Sequence, residues 1–135
     1  MAFKFEKLEV WQLALDYIDL MYEMASLLPP SEEFNLKSQL RRAATSVALN
    51  VAEGSTGQTD NEQARFLGLA IRSALETVAC QHIIKRRGYI SDEKRFQQAY
   101  SRAETLVVKL QAMRKAIAPA QTWLREEGAE YSVGE

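Results

Sequence analysis

Seven basic residues stand at spacings that could hold phosphate. Arg41 and Arg42 are adjacent in a stretch with no acid between Leu36 and Ala52, Lys85-Arg86-Arg87 close an apolar run, and Lys94-Arg95 follow after a short break. A guanidinium presents a planar fork of donors that matches phosphate oxygens, and an ammonium adds a compact charge. Each cluster also has a plainer reading. Bases in the last turn of a helix complement its dipole, which suffices for Lys85, Arg86 and Arg87. Arg41 and Arg42, about 100° apart on a helix, flank its core stripe and could pair with neighbouring acids such as those of the first helix. Asn50 and Glu53, in the last turn of the same helix, are expected to hydrogen-bond to the loop that runs from Gly54 to Gly57. With Glu76 they are the place to look if the chain carries a reaction site.

Other chemistry is sparse. The chain has one His and one Cys, so no internal disulfide forms, and Cys80 with His82 is too small a set for a structural zinc site. No Glu precedes His82 by three residues, as a di-metal carboxylate bundle would require. There is no P-loop, dinucleotide-binding glycine pattern or HExxH segment, and nothing places a nucleophile beside His82. Cys80 reads as a small hydrophobe and His82 as a packed or edge residue. The expectation is a non-enzymatic protein with no metal and no cofactor.

The 135 residues hold 17 Lys+Arg against 18 Asp+Glu, a net charge of −1, with 47% hydrophobic and 26% charged residues. That is the composition of one globular domain without a global electrostatic footprint for nucleic acid. Charge is nevertheless segregated: residues 1–33 carry 2 bases and 7 acids, whereas 63–118 carry 11 bases and 4 acids. The opening MAFKFEKLEVWQ interleaves charge where a signal peptide needs an apolar core, and no 18-residue stretch is free of charge. A cytoplasmic protein with no membrane contact is expected.

The elements that must position these residues are helices. Glycine and proline punctuate the chain at Pro29-Pro30, Gly54, Gly57, Gly88, Pro119, Gly128 and Gly134. Over 8–28, Gln12, Asp16, Asp19 and Glu23 form one narrow polar face, and Trp11, Leu15, Ile18 and Tyr22 on one side and Leu13, Tyr17, Leu20 and Met24 on the other make an unusually wide apolar arc. Pro29-Pro30 ends that helix and Ser31 is suited to cap the next, over 32–53, whose core face is rich in Ala and whose end at Gly54 suits a left-handed C-cap. Thr59-Asp60-Asn61-Glu62 fits a capping box opening a third helix over 60–87, which is apolar almost all round. Gly88 stops it, Ser91 is placed to cap a fourth, and Phe96, Ala99, Tyr100, Ala103, Leu106 and Leu110 form its single stripe. Residues 1–118 thus read as one antiparallel up-and-down four-helix bundle, and 119–135 as an acidic tail with room for a short helix through Trp123. The surplus apolar surface of the first and third helices predicts burial against other subunits.

Three stretches carry a family resemblance: Phe5-Glu6-Lys7-Leu8-Glu9-Val10-Trp11-Gln12; Ser38-Gln39-Leu40-Arg41-Arg42-Ala43-Ala44 continuing through Asn50-Val51-Ala52-Glu53-Gly54; and Arg65-Phe66-Leu67 with Gly88-Tyr89-Ile90-Ser91. In order and spacing the chain resembles the four-helix bundle proteins encoded in intervening sequences of bacterial 23S ribosomal RNA genes. The resemblance implies an all-α bundle assembled as a ring-like homopentamer. It extends to the accessory variability determinant of diversity-generating retroelements, a strongly basic protein implicated in nucleic-acid binding; this chain, by contrast, is nearly neutral. Relatives often have proline where this chain has Ala48. Two functions stay open: a homo-oligomeric module that engages RNA or a ribonucleoprotein partner through Arg41, Arg42, Lys85, Arg86, Arg87, Lys94 and Arg95, and a protein-interaction scaffold without nucleic-acid affinity whose bases are all engaged in intersubunit pairs with the acids of the first helix.

Overall fold

The computed structural model describes residues 2–56 and 59–118. Four α-helices account for most of them: α1 (Glu9–Ser26), α2 (Leu36–Gly54), α3 (Asp60–Arg87) and α4 (Glu93–Ile117). Short 3-10 turns at Lys4–Lys7 and Pro30–Glu32 precede α1 and α2. Contacts run in a closed cycle, α1 on α2, α2 on α3, α3 on α4 and α4 back on α1, so the helices pack as a bundle around one core. The α1–α2 side therefore lies opposite the α3–α4 side. The acidic tail 119–135, with the short helix expected through Trp123, lies outside the described residues.

Helix ends follow local chemistry, with three departures from expectation. Ser31 does not cap α2, because Pro29-Pro30 initiates a 3-10 turn that carries the chain on to Asn35. There the Glu32 carboxylate accepts from the Leu36 backbone N–H at 3.4 Å, serving one orphan donor of the helix start, and from the Asn35 side-chain amide at 3.0 Å. Asp92, one residue beyond Ser91, caps α4 by accepting from the amides of Lys94 and Arg95 at 3.1 and 3.3 Å. Gly54 is the last residue of α2 with Ser55, at φ −98°, as its C-cap, so it needs no left-handed backbone; Gly88, at φ 73°, does. Gly54 is there for space. A Cβ at this position would sit 3.0 Å from the Phe66 Cβ and 3.3 Å from the Gln63 carbonyl oxygen, so α2 and α3 approach closely here, and filling the space costs about 1–3 kcal/mol. Thr59 caps α3 as expected, accepting from the Glu62 amide at 3.1 Å, while the Glu62 carboxylate reaches Arg65 at 3.6 Å. Gly68, the sixth glycine, is no breaker: it is buried inside α3.

The core of α1 takes Tyr17 and Met24 from one apolar stripe and adds Val10, Ala14, Met21 and Ala25, while Gln12, Asp16, Asp19 and Glu23 face outward. Its acids neutralise α4: Glu23 pairs with Arg95 at 3.4 Å and Glu9 with Lys109 at 3.5 Å. Inside, a polar chain crosses from α1 to α3. The Tyr17 hydroxyl lies 2.6 Å from Thr77 Oγ1, the Gln81 amide donates to the Tyr17 oxygen at 2.7 Å, and Thr77 donates to the Ala74 carbonyl at 2.5 Å. All three side chains are buried. Thr77 has one hydroxyl proton and gives it to Ala74, so Tyr17 must donate to Thr77 and accept from Gln81. The protons therefore run one way, Gln81 to Tyr17 to Thr77 to Ala74, and each donor is satisfied in a medium where an unpaired one is expensive.

Candidate functional site

The seven basic residues do not form one patch. Arg41 pairs with Glu33 at 3.2 Å, and Lys37 holds the same carboxylate at 3.0 Å, so Glu33 is kept below its usual range by Lys37 and then Arg41. The acid comes from the connection before α2, not from α1 as expected. Lys85 pairs with Glu93 at 2.8 Å and lies over the Phe96 ring at 5.7 Å; Arg95 is taken by Glu23. Arg87 stacks over Tyr89 at 5.8 Å, whose hydroxyl in turn donates to Glu32 at 2.6 Å and holds that carboxyl below its usual range. Among the described residues, Arg42, Arg86 and Lys94 are exposed and have no acidic partner. Arg86 and Lys94 lie on either side of the Gly88 turn; Arg42 is on α2, where it lines a groove of about 570 Å³ with Phe34, Ser38, Ser46, Ser73 and Glu76.

Neither Asn50 nor Glu53 opens into that groove. The Asn50 amide turns back along α2 to the Ser46 carbonyl at 2.9 Å and the Ser46 hydroxyl at 3.0 Å, and Ser46 in turn meets Ser73 of α3 at 2.9 Å. It thus stitches α2 to α3 and does not reach the loop after Gly54. Glu53 is exposed. The groove takes in Glu76 alone of the three polar residues singled out for a reaction. Cys80 is buried, and burial, followed by the Glu76 charge, pushes its thiol above the ordinary value, which leaves little thiolate for nucleophilic work. His82 is exposed, an edge residue.

Apolar surface is where the molecule is unusual. On the α1–α2 side Leu15, Tyr22 and Leu49 remain 37%, 46% and 61% exposed; on the α3–α4 side Leu75, Tyr100 and Val108 remain 45%, 47% and 61% exposed. Tyr100, expected in the stripe of α4, is therefore a surface residue. The second set borders a shallow cavity of about 260 Å³ completed by Val78, Val107 and Glu104, while Tyr22 and Leu49 of the first lie beside Arg41 and Arg42. Next to Tyr100, nearer the Gly88 turn, Gln81, His82, Lys85, Glu93, Phe96 and Gln97 close a separate cleft of about 180 Å³ between α3 and α4. Sequence periodicity could not find this cleft, although Gln81, polar and four residues after Thr77 in an otherwise apolar run, marks its floor.

A family model described as 23S rRNA-intervening sequence protein matches residues 6–112. The chain belongs to that family. The match takes in the three stretches on which the resemblance was read, except Phe5, and most of the four helices. No curated protein matches the chain. For a 23S rRNA-intervening sequence protein, an all-α four-helix structure is thus in place, and among the described residues no helix is long and apolar enough to cross a membrane.

Proposed function

We propose that this 23S rRNA-intervening sequence protein is a non-enzymatic, cytoplasmic, antiparallel up-and-down bundle that assembles with its own copies into a homopentamer. The observation that carries the reading is the pair of apolar flanks on opposite sides of the bundle. Isolated exposed apolar residues are ordinary, but two contiguous sets call for partners. Because the flanks are different surfaces facing away from each other, joining one to the other on the next copy gives a head-to-tail contact, which closes into a ring when the rotation allows. Arg41 and Arg42 beside one flank and Glu104 beside the other give the contact a matching sense of charge. The number five is drawn from the family resemblance.

A second element of the proposal is contact with RNA or a ribonucleoprotein partner at the turn between α3 and α4. It is supported by Arg86 and Lys94, exposed and without acidic partners there, and by the RNA context in the printed family name. The pairing of Arg41, Lys85 and Arg95 within the chain takes these three out of the RNA-binding set; the alternative is a protein scaffold with no nucleic-acid affinity. Native mass spectrometry on protein purified at low salt without nuclease separates them: a pentamer carrying RNA is expected, a bare pentamer leaves the scaffold, and a monomer overturns the assembly. If RNA is held, Arg86→Ala with Lys94→Ala should flatten the salt dependence of single-strand affinity by about 0.7 log unit per lost phosphate contact. An unchanged slope would remove both residues from the interface.

A further inference from the structure

We propose that the cleft between α3 and α4 receives a single unpaired RNA base; this rests on the RNA reading above and specifies its recognition element. The polar chain fixes the cleft's chemistry. Tyr17 must accept a proton from Gln81, so the Gln81 amide nitrogen faces Tyr17, at 2.7 Å, with Met21 Sδ 3.6 Å away on the same nitrogen. The carbonyl oxygen of that amide is left over. It accepts no hydrogen bond from a described residue, yet Gln81 is only 4% exposed and forms part of the cleft lining. An acceptor without a protein partner in the lining of a cleft is free to take an N–H donor from outside.

The walls say which kind. Tyr100, half exposed, supplies the open aromatic face, since Lys85 lies over the ring of the buried Phe96 at 5.7 Å, and Gln97 and His82 add polar groups at the rim. About 180 Å³ is below the range of about 300–1,000 Å³ of drug-sized sites, which suits one planar ring system and no more. A nucleobase offers a π-face for the aromatic ring and an N–H edge for Gln81, the combination by which unstacked bases are held. Lys85 at the rim is already paired with Glu93 at 2.8 Å, so the cations left for the RNA backbone are Arg86 and Lys94, next in sequence to those two rim residues.

The test uses the full chain and a single-stranded oligoribonucleotide carrying one 2-aminopurine, with a duplex of the same length as control. Expected are a change in 2-aminopurine fluorescence on binding and a loss of about tenfold in single-strand affinity, the scale of one base–aromatic stack, in Tyr100→Ala and in Gln97→Trp, which fills the cleft. Duplex affinity and the salt slope should stay at wild-type values. Gln97→Trp leaves the Tyr100 ring in place, so agreement of the two variants separates the cleft from any effect on assembly. Wild-type RNA binding with both variants unaffected overturns the base site while the RNA reading stands. No wild-type binding at low salt removes that reading and the base site with it. Loss of assembly in Gln97→Trp, without loss of RNA affinity, would assign the cleft to a neighbouring subunit and overturn the proposal as well.

Discussion

Tyr17→Phe is expected to destabilise the fold by about 1–3 kcal/mol although it keeps the ring and changes no apolar contact. The substitution removes one oxygen that both accepts from Gln81 and donates to Thr77. Thr77 survives the loss, since its proton already goes to Ala74. Gln81 does not, because a buried amide is left facing a phenyl edge with only the Met21 sulfur near. The double variant Tyr17→Phe/Gln81→Leu should therefore be more stable than Tyr17→Phe alone, as replacing both partners with apolar groups leaves nothing unsatisfied. Urea unfolding of the four proteins of this cycle, at one protein concentration, measures the coupling; simple additivity would dissolve the directed chain. The same phenol makes stability depend on pH in alkali. Burial pushes it up to about 12 from 10.0, and its bonds to Thr77 and Gln81 offset that only in part. The native state thus holds the proton more tightly than the unfolded chain. Its contribution is complete below pH 10 and is lost as pH rises from 10 toward 12, about 3 kcal/mol over that window. Tyr17→Phe should remove this part of the alkaline decline.

Leu49→Lys and Val108→Lys should each weaken self-association at least about 30-fold, the effect of losing a contact worth about 2 kcal/mol at the centre of an interface. Both side chains are 61% exposed in the single chain, so each variant should fold as the wild type does. The informative experiment mixes them. A Leu49→Lys subunit keeps its α3–α4 flank and a Val108→Lys subunit keeps its α1–α2 flank, so in a head-to-tail scheme the two variants, monomeric apart, form a one-to-one dimer together and stop there. If each flank instead met its own copy, either variant alone would already be dimeric. Mass measurement of the separate and mixed samples decides between these geometries, and a full-size assembly in either variant alone would sink the assignment of the flanks.

Much of the architecture was legible because punctuation and periodicity act locally. Asp60–Arg87 was bounded by Thr59 and Gly88, a hydroxyl cap and a residue free to take positive φ, and α3 begins and ends there. Ser31 misled because two prolines in succession start a 3-10 turn and postpone α2 to Leu36. Gly54 was read for its backbone freedom when its missing Cβ mattered, a fact that lives in the distance to Phe66 and not in α2. The charged residues were the least legible. That Arg41 would find Glu33, Lys85 would find Glu93 and Arg95 would find Glu23 depends on how turns and helices meet in space. What remained visible by subtraction, Arg42, Arg86 and Lys94, is a smaller set than the sequence offered. Thr77 and Gln81 were hidden for the opposite reason: apolar counting passes over polar residues inside a stripe, though their four-residue spacing places them together on the face that carries Ala74 and Ile84.

The hydrogen bond from Tyr89 to Glu32 has a bearing on motion. It joins the segment after α3 to the segment before α2, two connections 57 residues apart in the chain, at 2.6 Å. Connections of this kind ordinarily fray one at a time, each at its own small free energy. Here neither can lift away without breaking the same bond and uncovering the carboxylate that also serves the start of α2. The two turns at that pole are therefore expected to open together, with amide exchange reporting a single event shared by residues 31–36 and 88–90, and unequal opening free energies for the two segments would refute the coupling.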